Sequence, residues 1–406
     1  MTARQEWRVM WTLPLTAMVG VSGGGMFAFS SGVFMQSITG EFGWTRAQYS
    51  AVFVILMLQG LVTGPLVGRL IDRIGPRRVV LAGIVPSVVS YSALSLVGGQ
   101  LWQWIALCVT MAVFQATISP TAWVAGVIPR FHASRGMALA VTLAGLGLSS
   151  FIWPPIAAMF MAQLGWRLAF PAVALVYLAA ALPLTFFFFN DPERLQRLAG
   201  SPQAALINRR NYLKAMRSRS FVGLVLAGAL FACAYYGLMV HFVPILTNSG
   251  IGLAAAAGIV ALVGLASIVG RLLSGLLLDA LPTRAVAMTA FLLPLVTVAL
   301  LTGLPGSVPG AIIAVLALGL ASGAELNTIT YVAARRFGQE VFGSIYAMFM
   351  AIIALGASIG PLMAGALFDA RGSYHLYLLV LAPIFLAASV LIAWVPLVSP
   401  DEEPAP

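Results

Sequence analysis

Apolar residues run along this chain in long unbroken blocks, with polar and charged residues gathered where the blocks end. Twelve blocks can be read, near residues 9–37, 47–71, 78–98, 101–127, 137–163, 168–190, 220–247, 254–280, 285–303, 308–333, 342–368 and 375–397. Each approaches or exceeds the roughly 20 apolar residues that a helix needs to cross about 30 Å of hydrocarbon. The blocks are continuous and do not alternate as barrel strands do, so they predict membrane-spanning helices. The first block is too long for a signal-peptide core and lacks a small-residue cleavage site, which predicts a retained span. Residues 191–219, DPERLQRLAGSPQAALINRRNYLKAMRSR, interrupt the pattern with a polar, basic stretch. The predicted organisation is a six-helix half at 1–190, a cytoplasmic basic linker at 191–219, a second six-helix half at 220–397 and an acidic, proline-rich, disordered tail at 398–406.

Composition narrows this further. The chain is 61% hydrophobic and only 8% charged, about a third of the roughly 25% charge of soluble domains. A net charge of +10 would point to nucleic acid in a soluble protein, so the positions of the 22 Lys and Arg residues decide its meaning. With the N-terminus in the cytoplasm, Arg46, Arg167 and Arg371 fall outside, Arg271 lies within a span, and the other eighteen gather at cytoplasmic ends and in the linker. By the positive-inside rule both termini are expected in the cytoplasm, and the basicity is topological: no nucleic-acid partner is expected. Cys108 and Cys233 fall inside spans and read as small packing residues.

An internal repeat supports the two halves. An offset of 207 residues aligns Gly68 with Gly275, Asp72 with Asp279, Gly136 with Gly343, Pro154 with Pro361 and Gly165 with Gly372. Parallel halves of this kind usually hold a ligand between them near the membrane midplane.

The stretch GPLVGRLIDRIGPRR, residues 64–78, closes the second block. Gly64 and Gly68 lie four apart on one helix face and allow a close helix approach. Asp72 ends the helix, where a carboxylate can cap a neighbouring span, and Arg73 and Arg77, flanking Gly75, hold the cytoplasmic edge. This stretch resembles the signature loop of the major facilitator superfamily, and GRLLSGLLLDALPTR at 270–284, with Gly275 and Asp279, resembles a degenerate second copy. The resemblance covers essentially the whole chain. It implies an all-α membrane protein of twelve transmembrane helices, two six-helix halves related by pseudo-two-fold symmetry, with these glycines, aspartates and arginines as its conformational motif.

Three further stretches, FGWTRAQYSAVF, VIPRFHASRGMALAVTLAGLGLS and HFVPILTNSG, resemble bacterial relatives of the monocarboxylate transporters, with the oxalate:formate antiporter group nearby. In those families an arginine of the eighth span neutralises the substrate carboxylate, and Arg271 in GLASIVGRLLSG matches that position. Two departures qualify what is carried over. The membrane lysine often used as a second charge is missing: the first span reads FAFSSGVF, with Ser30 and Ser31 in the relevant region, and Lys214 in the linker is the chain's only lysine. The acidic residue placed four before the arginine in some members is Ser267 here. One fixed positive charge suits a monoanion better than a dianion, and proton coupling has to come from elsewhere or be absent.

Among the twelve Asp and Glu residues only Glu325 falls well inside a block. Arg271 lies eight residues before Asp279 and Glu325 ten before Arg335, so both sit roughly 12 to 15 Å from the cytoplasmic edge at 1.5 Å per residue. A charge at such depth costs about 2.5 to 3.5 kcal/mol, which favours mutual pairing when no substrate is bound. A carboxylate competing for Arg271 would free Glu325 to take a proton. The alternatives are a permanent structural pair or two separate cytoplasmic clusters. His241, with Tyr235 and Tyr236, lines an outer mouth of the site or belongs to an interfacial aromatic belt. Asn327, Gln115 and Ser31 are candidate ligands for an anion, with hydrogen bonding between helices as the plainer role for the two amides.

No zinc spacing, phosphate loop or hydrolase elbow occurs, so neither an enzyme, a metal site nor a cofactor is expected, and the linker is too short for a nucleotide module. The expected function is proton-coupled symport of a monocarboxylate by a monomer in a bacterial inner membrane. A multidrug efflux antiporter on the same fold is the main alternative, although its GPxxGG element is replaced here by GLGLSSFIWPPIAA. A transporter-like receptor is the remote one.

Overall fold

The structure, a computed structural model, describes residues 2–131, 133–189 and 216–395. The tail and most of the linker, the side chains of Asp72 and Asp279, and those of residues 334–347 lie outside the described residues. Among the described residues, ten helices are long and apolar enough to cross a membrane. One of them, Met137–Phe188, has 52 residues, far more than the roughly 20 that one crossing needs. Gly165, with φ 74° and ψ 167°, breaks it into two. A second span bent by 46° is made by Arg46–Gly60 and Val62–Ile71. With these two, the described helices are consistent with the expected twelve spans.

The remaining spans are Thr12–Phe42 (first), Pro76–Leu96 (third), Leu101–Arg130 (fourth), Arg219–Asn248 (seventh), Leu253–Leu278 (eighth), Thr283–Gly303 (ninth), Val308–Ala333 (tenth), Met348–Arg371 (eleventh) and His375–Trp394 (twelfth). A short amphipathic helix, Ala3–Met10, precedes the first span.

The chain divides into two compact units, Met1–Trp44 with Ile55–Ser201, and Thr45–Val54 with Pro202–Pro406. The second unit therefore contains ten residues drawn from the middle of the first unit's sequence.

Within the first unit the fifth span crosses the first at glycines: a Cβ on Gly145 would lie 2.3 Å from the Met18 carbonyl oxygen. Ser149 and Trp153 of the fifth span both donate to the Ser22 carbonyl, each at 2.8 Å, and the Tyr177 hydroxyl donates to that of Gly20 at 3.0 Å. Glu6 of the short helix is buried and caps the start of the fifth span, accepting from the Ala133 and Ser134 amides at 3.0 Å and the Ser134 hydroxyl at 2.8 Å.

The second unit repeats this scheme. Its eleventh span crosses the seventh at Gly356 and Gly360, where an added Cβ would lie 2.2 Å from the Ala229 oxygen and 1.9 Å from that of Cys233. The 207-residue repeat also shows in the backbone. Gly165 and Gly372, at the turns into the sixth and twelfth spans, both have positive φ, 74° and 69°, which glycine adopts without steric cost, although their ψ values of 167° and 6° differ.

At the signature loop, Gly75 takes φ 87° and starts the third span with Pro76 at its first position. Arg77 donates to the Phe186 carbonyl at 2.7 Å, pinning the end of the sixth span. The close helix approach expected at Gly64 and Gly68 is not seen among the described residues, where no atom lies within 4 Å of a Cβ added at either.

Candidate functional site

Arg271 and Glu325 are brought together inside the second unit by three glycines. Gly270 abuts Leu320, with an added Cβ 2.2 Å from its carbonyl oxygen. Gly319 meets Val263, and Gly323 meets Ser267 and Arg271, at 2.7, 2.0 and 2.7 Å to backbone atoms. The eighth and tenth spans are therefore in backbone contact over more than one turn, with Arg271 directly after Gly270 and Glu325 two residues after Gly323. Glu325 is buried, 7% exposed, within the electrostatic reach of Arg271.

Asn327 belongs to the same crossing. Its amide nitrogen donates to the Ser274 hydroxyl at 3.0 Å and the Arg271 carbonyl at 3.3 Å, while the Ser274 hydroxyl donates to that carbonyl at 3.0 Å. The side chain thus braces the backbone of the arginine. Tyr235 and Tyr236 of the seventh span lie in the field of both Arg271 and Glu325, and the Tyr235 hydroxyl meets Ser322 of the tenth. Tyr235 stacks on Phe231 with centroids 6.2 Å apart. One guanidinium, one carboxylate and two phenols in an apolar helical setting can hold a single carboxylate by charge and hydrogen bonds, with a proton acceptor beside it.

His241 is not part of this group. It lies six residues beyond Tyr235, about 9 Å along the helix, fully buried, with its hydrogen bonds to Ser50, Tyr374 and the Pro361 carbonyl. Ser31 and Gln115 belong to the first unit. Ser31 is buried and donates to the Ala28 carbonyl at 3.1 Å. The Gln115 amide nitrogen is buried with no hydrogen-bond partner among the described residues, a cost that a polar ligand would relieve. Among the described residues no cluster of His, Cys, Asp and Glu could hold a metal ion.

Sequence inspection missed Arg46, counted above only as an outside charge. Its side chain is buried in the second unit against Phe368 and Tyr374. The capping pattern Thr45 to Gln48, which marks a helix start immediately around it, was the available signal.

The chain matches the family model described as Major Facilitator Superfamily over residues 15–357. It is 24% identical over 388 residues to monocarboxylate transporter 13 of Bos taurus, covering 90% of this chain and 84% of that one. It is 28% identical over 315 residues to a chloramphenicol resistance protein of Streptomyces lividans, covering 75% and 76%. Among solved structures, a bacterial homologue of the human lysosomal transporter Spinster superposes with a TM-score of 0.67 at 15% identity, over 97% of this chain and 95% of the other. That likeness concerns the fold alone.

Proposed function

Since the chain belongs to the Major Facilitator Superfamily, and is thus a multi-pass membrane transporter, we propose that it carries a small organic monoanion by alternating access, as a monocarboxylate–proton symporter. The observation that carries this is the buried Glu325 within electrostatic reach of Arg271 in an apolar helical setting, with Tyr235 and Tyr236 in the field of both. Arg271 receives the carboxylate. Its arrival offsets the arginine's charge, and Glu325, buried and no longer stabilised by a cation, takes a proton. Substrate and proton then move together while the two halves rock about the bound pair. Gln115, whose amide nitrogen is buried with no hydrogen-bond partner among the described residues, and Ser31 are the polar candidates within the first unit. The cytoplasmic membrane of a bacterium, with both termini inside, is the setting that the arginine distribution favours.

Efflux of an uncharged or cationic compound in exchange for protons is the second reading, favoured by the similarity to a chloramphenicol resistance protein. Uptake of labelled mono- and dicarboxylates into proteoliposomes under an imposed pH gradient tests both. Uptake of a monocarboxylate that Arg271→Ala abolishes is the expected result. Absence of any acid transport, with proton-linked exchange of a chloramphenicol-like compound, would favour efflux.

A further inference from the structure

The segment Thr45–Val54 is fastened within the second unit by a network that no transport role has yet been given. Its helix starts at Thr45, and the first amides of any helix lack partners within it. Gln48 and Thr45 satisfy each other, at 2.9 and 3.1 Å. The next two donors, the Arg46 and Ala47 amides, go to the two carboxylate oxygens of Asp369 at 2.9 and 2.8 Å. Gly365, one turn before Asp369, makes that approach possible, since a Cβ there would lie 2.7 Å from the Ala47 nitrogen. The Arg46 guanidinium sits 3.6 Å from the centre of the Phe368 ring and donates to the Tyr374 hydroxyl and to the Asn248 side-chain oxygen.

His241 ends the network, and its partners assign its protons. The Pro361 carbonyl, 2.9 Å from Nε2, can only accept, so Nε2 carries a hydrogen; Ser50 Oγ is 3.1 Å from the same nitrogen. In the neutral ring Nδ1 is then an acceptor, and the Tyr374 hydroxyl at 2.7 Å donates to it while its oxygen accepts from Arg46. Burial pushes the Tyr374 phenol above its ordinary range, which keeps this donor protonated. A second proton on His241 has one place to go, Nδ1. It removes the acceptor, turns the Tyr374 hydroxyl away, and sets an imidazolium one hydroxyl from the Arg46 guanidinium. Among the described residues of this network the opposing charge is Asp369 from the eleventh span, already engaged with two amides. Tyr374 from the turn before the twelfth span, and Tyr377 behind it, are neutral phenols.

We propose that Arg46, Asp369, Tyr374 and His241 form a clasp holding Thr45–Val54 to the second unit, opened by protonation of His241. It rests on the transporter reading for its purpose, because a rocking carrier has to move this segment with one unit or the other, but not for whether it opens.

Hydrogen exchange on the full chain in lipid nanodiscs, with no anion present, tests it separately from any transport assay. Peptides covering residues 44–54 are followed over a pH series corrected for intrinsic exchange. In Asp369→Asn the Arg46 and Ala47 amides are expected to exchange at least about tenfold faster at high pH, having lost charge-assisted bonds. In the wild type exchange rises as pH falls, and in His241→Gln, which cannot take a proton, that rise disappears. Tyr374→Phe, which keeps the ring packing, is expected to exchange faster at high pH and to respond less to acid, and serves if His241→Gln does not fold. Unchanged exchange in Asp369→Asn overturns the clasp. A wild type insensitive to pH, or an acid response surviving both other variants, overturns the protonation step.

Discussion

Gly323→Ala offers the sharpest test of how the Arg271–Glu325 site is built. The added methyl would lie 2.0 Å from the Ser267 carbonyl oxygen and 2.7 Å from the Arg271 nitrogen, whereas real Cβ contacts essentially never fall below 3.0 Å. Both obstacles are backbone and cannot rotate aside, so the eighth and tenth spans have to part by about 1 Å. Overpacking of this kind costs about 1–3 kcal/mol. The same displacement takes the Asn327 bonds, now 3.0 and 3.3 Å, past hydrogen-bonding distance, for about another 1 kcal/mol. Gly258→Ala, on the same eighth-span helix with no atom within 4 Å of the new methyl, is the control; with alanine's better helix propensity it is expected to be neutral or slightly stabilising. Thermal unfolding followed by fluorescence-detected size exclusion, alongside uptake kinetics, compares them. Gly323→Ala should melt below wild type and raise KM for the anion, and Gly258→Ala should do neither. Equal melting of Gly323→Ala and wild type would refute the backbone contact on which the site depends.

Arg271→Lys should weaken anion binding at least about tenfold although the charge is kept, because an ammonium cannot pair bidentately with a carboxylate; binding to purified protein measures it. Glu325→Gln should retain exchange of labelled for unlabelled anion across the membrane while losing accumulation driven by a pH gradient. Glu6→Gln should cost about 1 kcal/mol in thermal stability by weakening the cap at Ser134. Arg167→Ala should lower thermal stability only slightly, since its ion pair with Glu41 at 2.6 Å leaves both side chains nearly half exposed and open to solvent screening.

Much of the architecture was legible because hydropathy acts over a whole span. The blocks, the repeat and the matched depths of Arg271 and Glu325 each follow from short-range counting along the chain. Glycine roles were not legible in the same way. Gly323 and Gly64 look alike in sequence, yet one lies against a neighbouring backbone and the other has no atom of the described residues within 4 Å of an added Cβ, a difference set by which helix lies opposite. Arg46 escaped for a related reason: Asp369 is 323 residues away along the chain, and no local pattern announces that a topological arginine will be buried beside it. His241 was noticed as a titratable group, but its partners come from three separate segments that only folding assembles.

The place of Thr45–Val54 also has a consequence for how the protein is made. The segment leaves the ribosome 322 residues before Asp369, and at about 5–20 residues per second that is an interval of roughly 16 to 64 s. Throughout that time the Arg46 side chain and the capping amides are without their final partners. The segment is inserted early and locked late. A split gene whose second piece begins in the linker would give a unit lacking one of its own elements, so that piece should accumulate only when the first is synthesised alongside it.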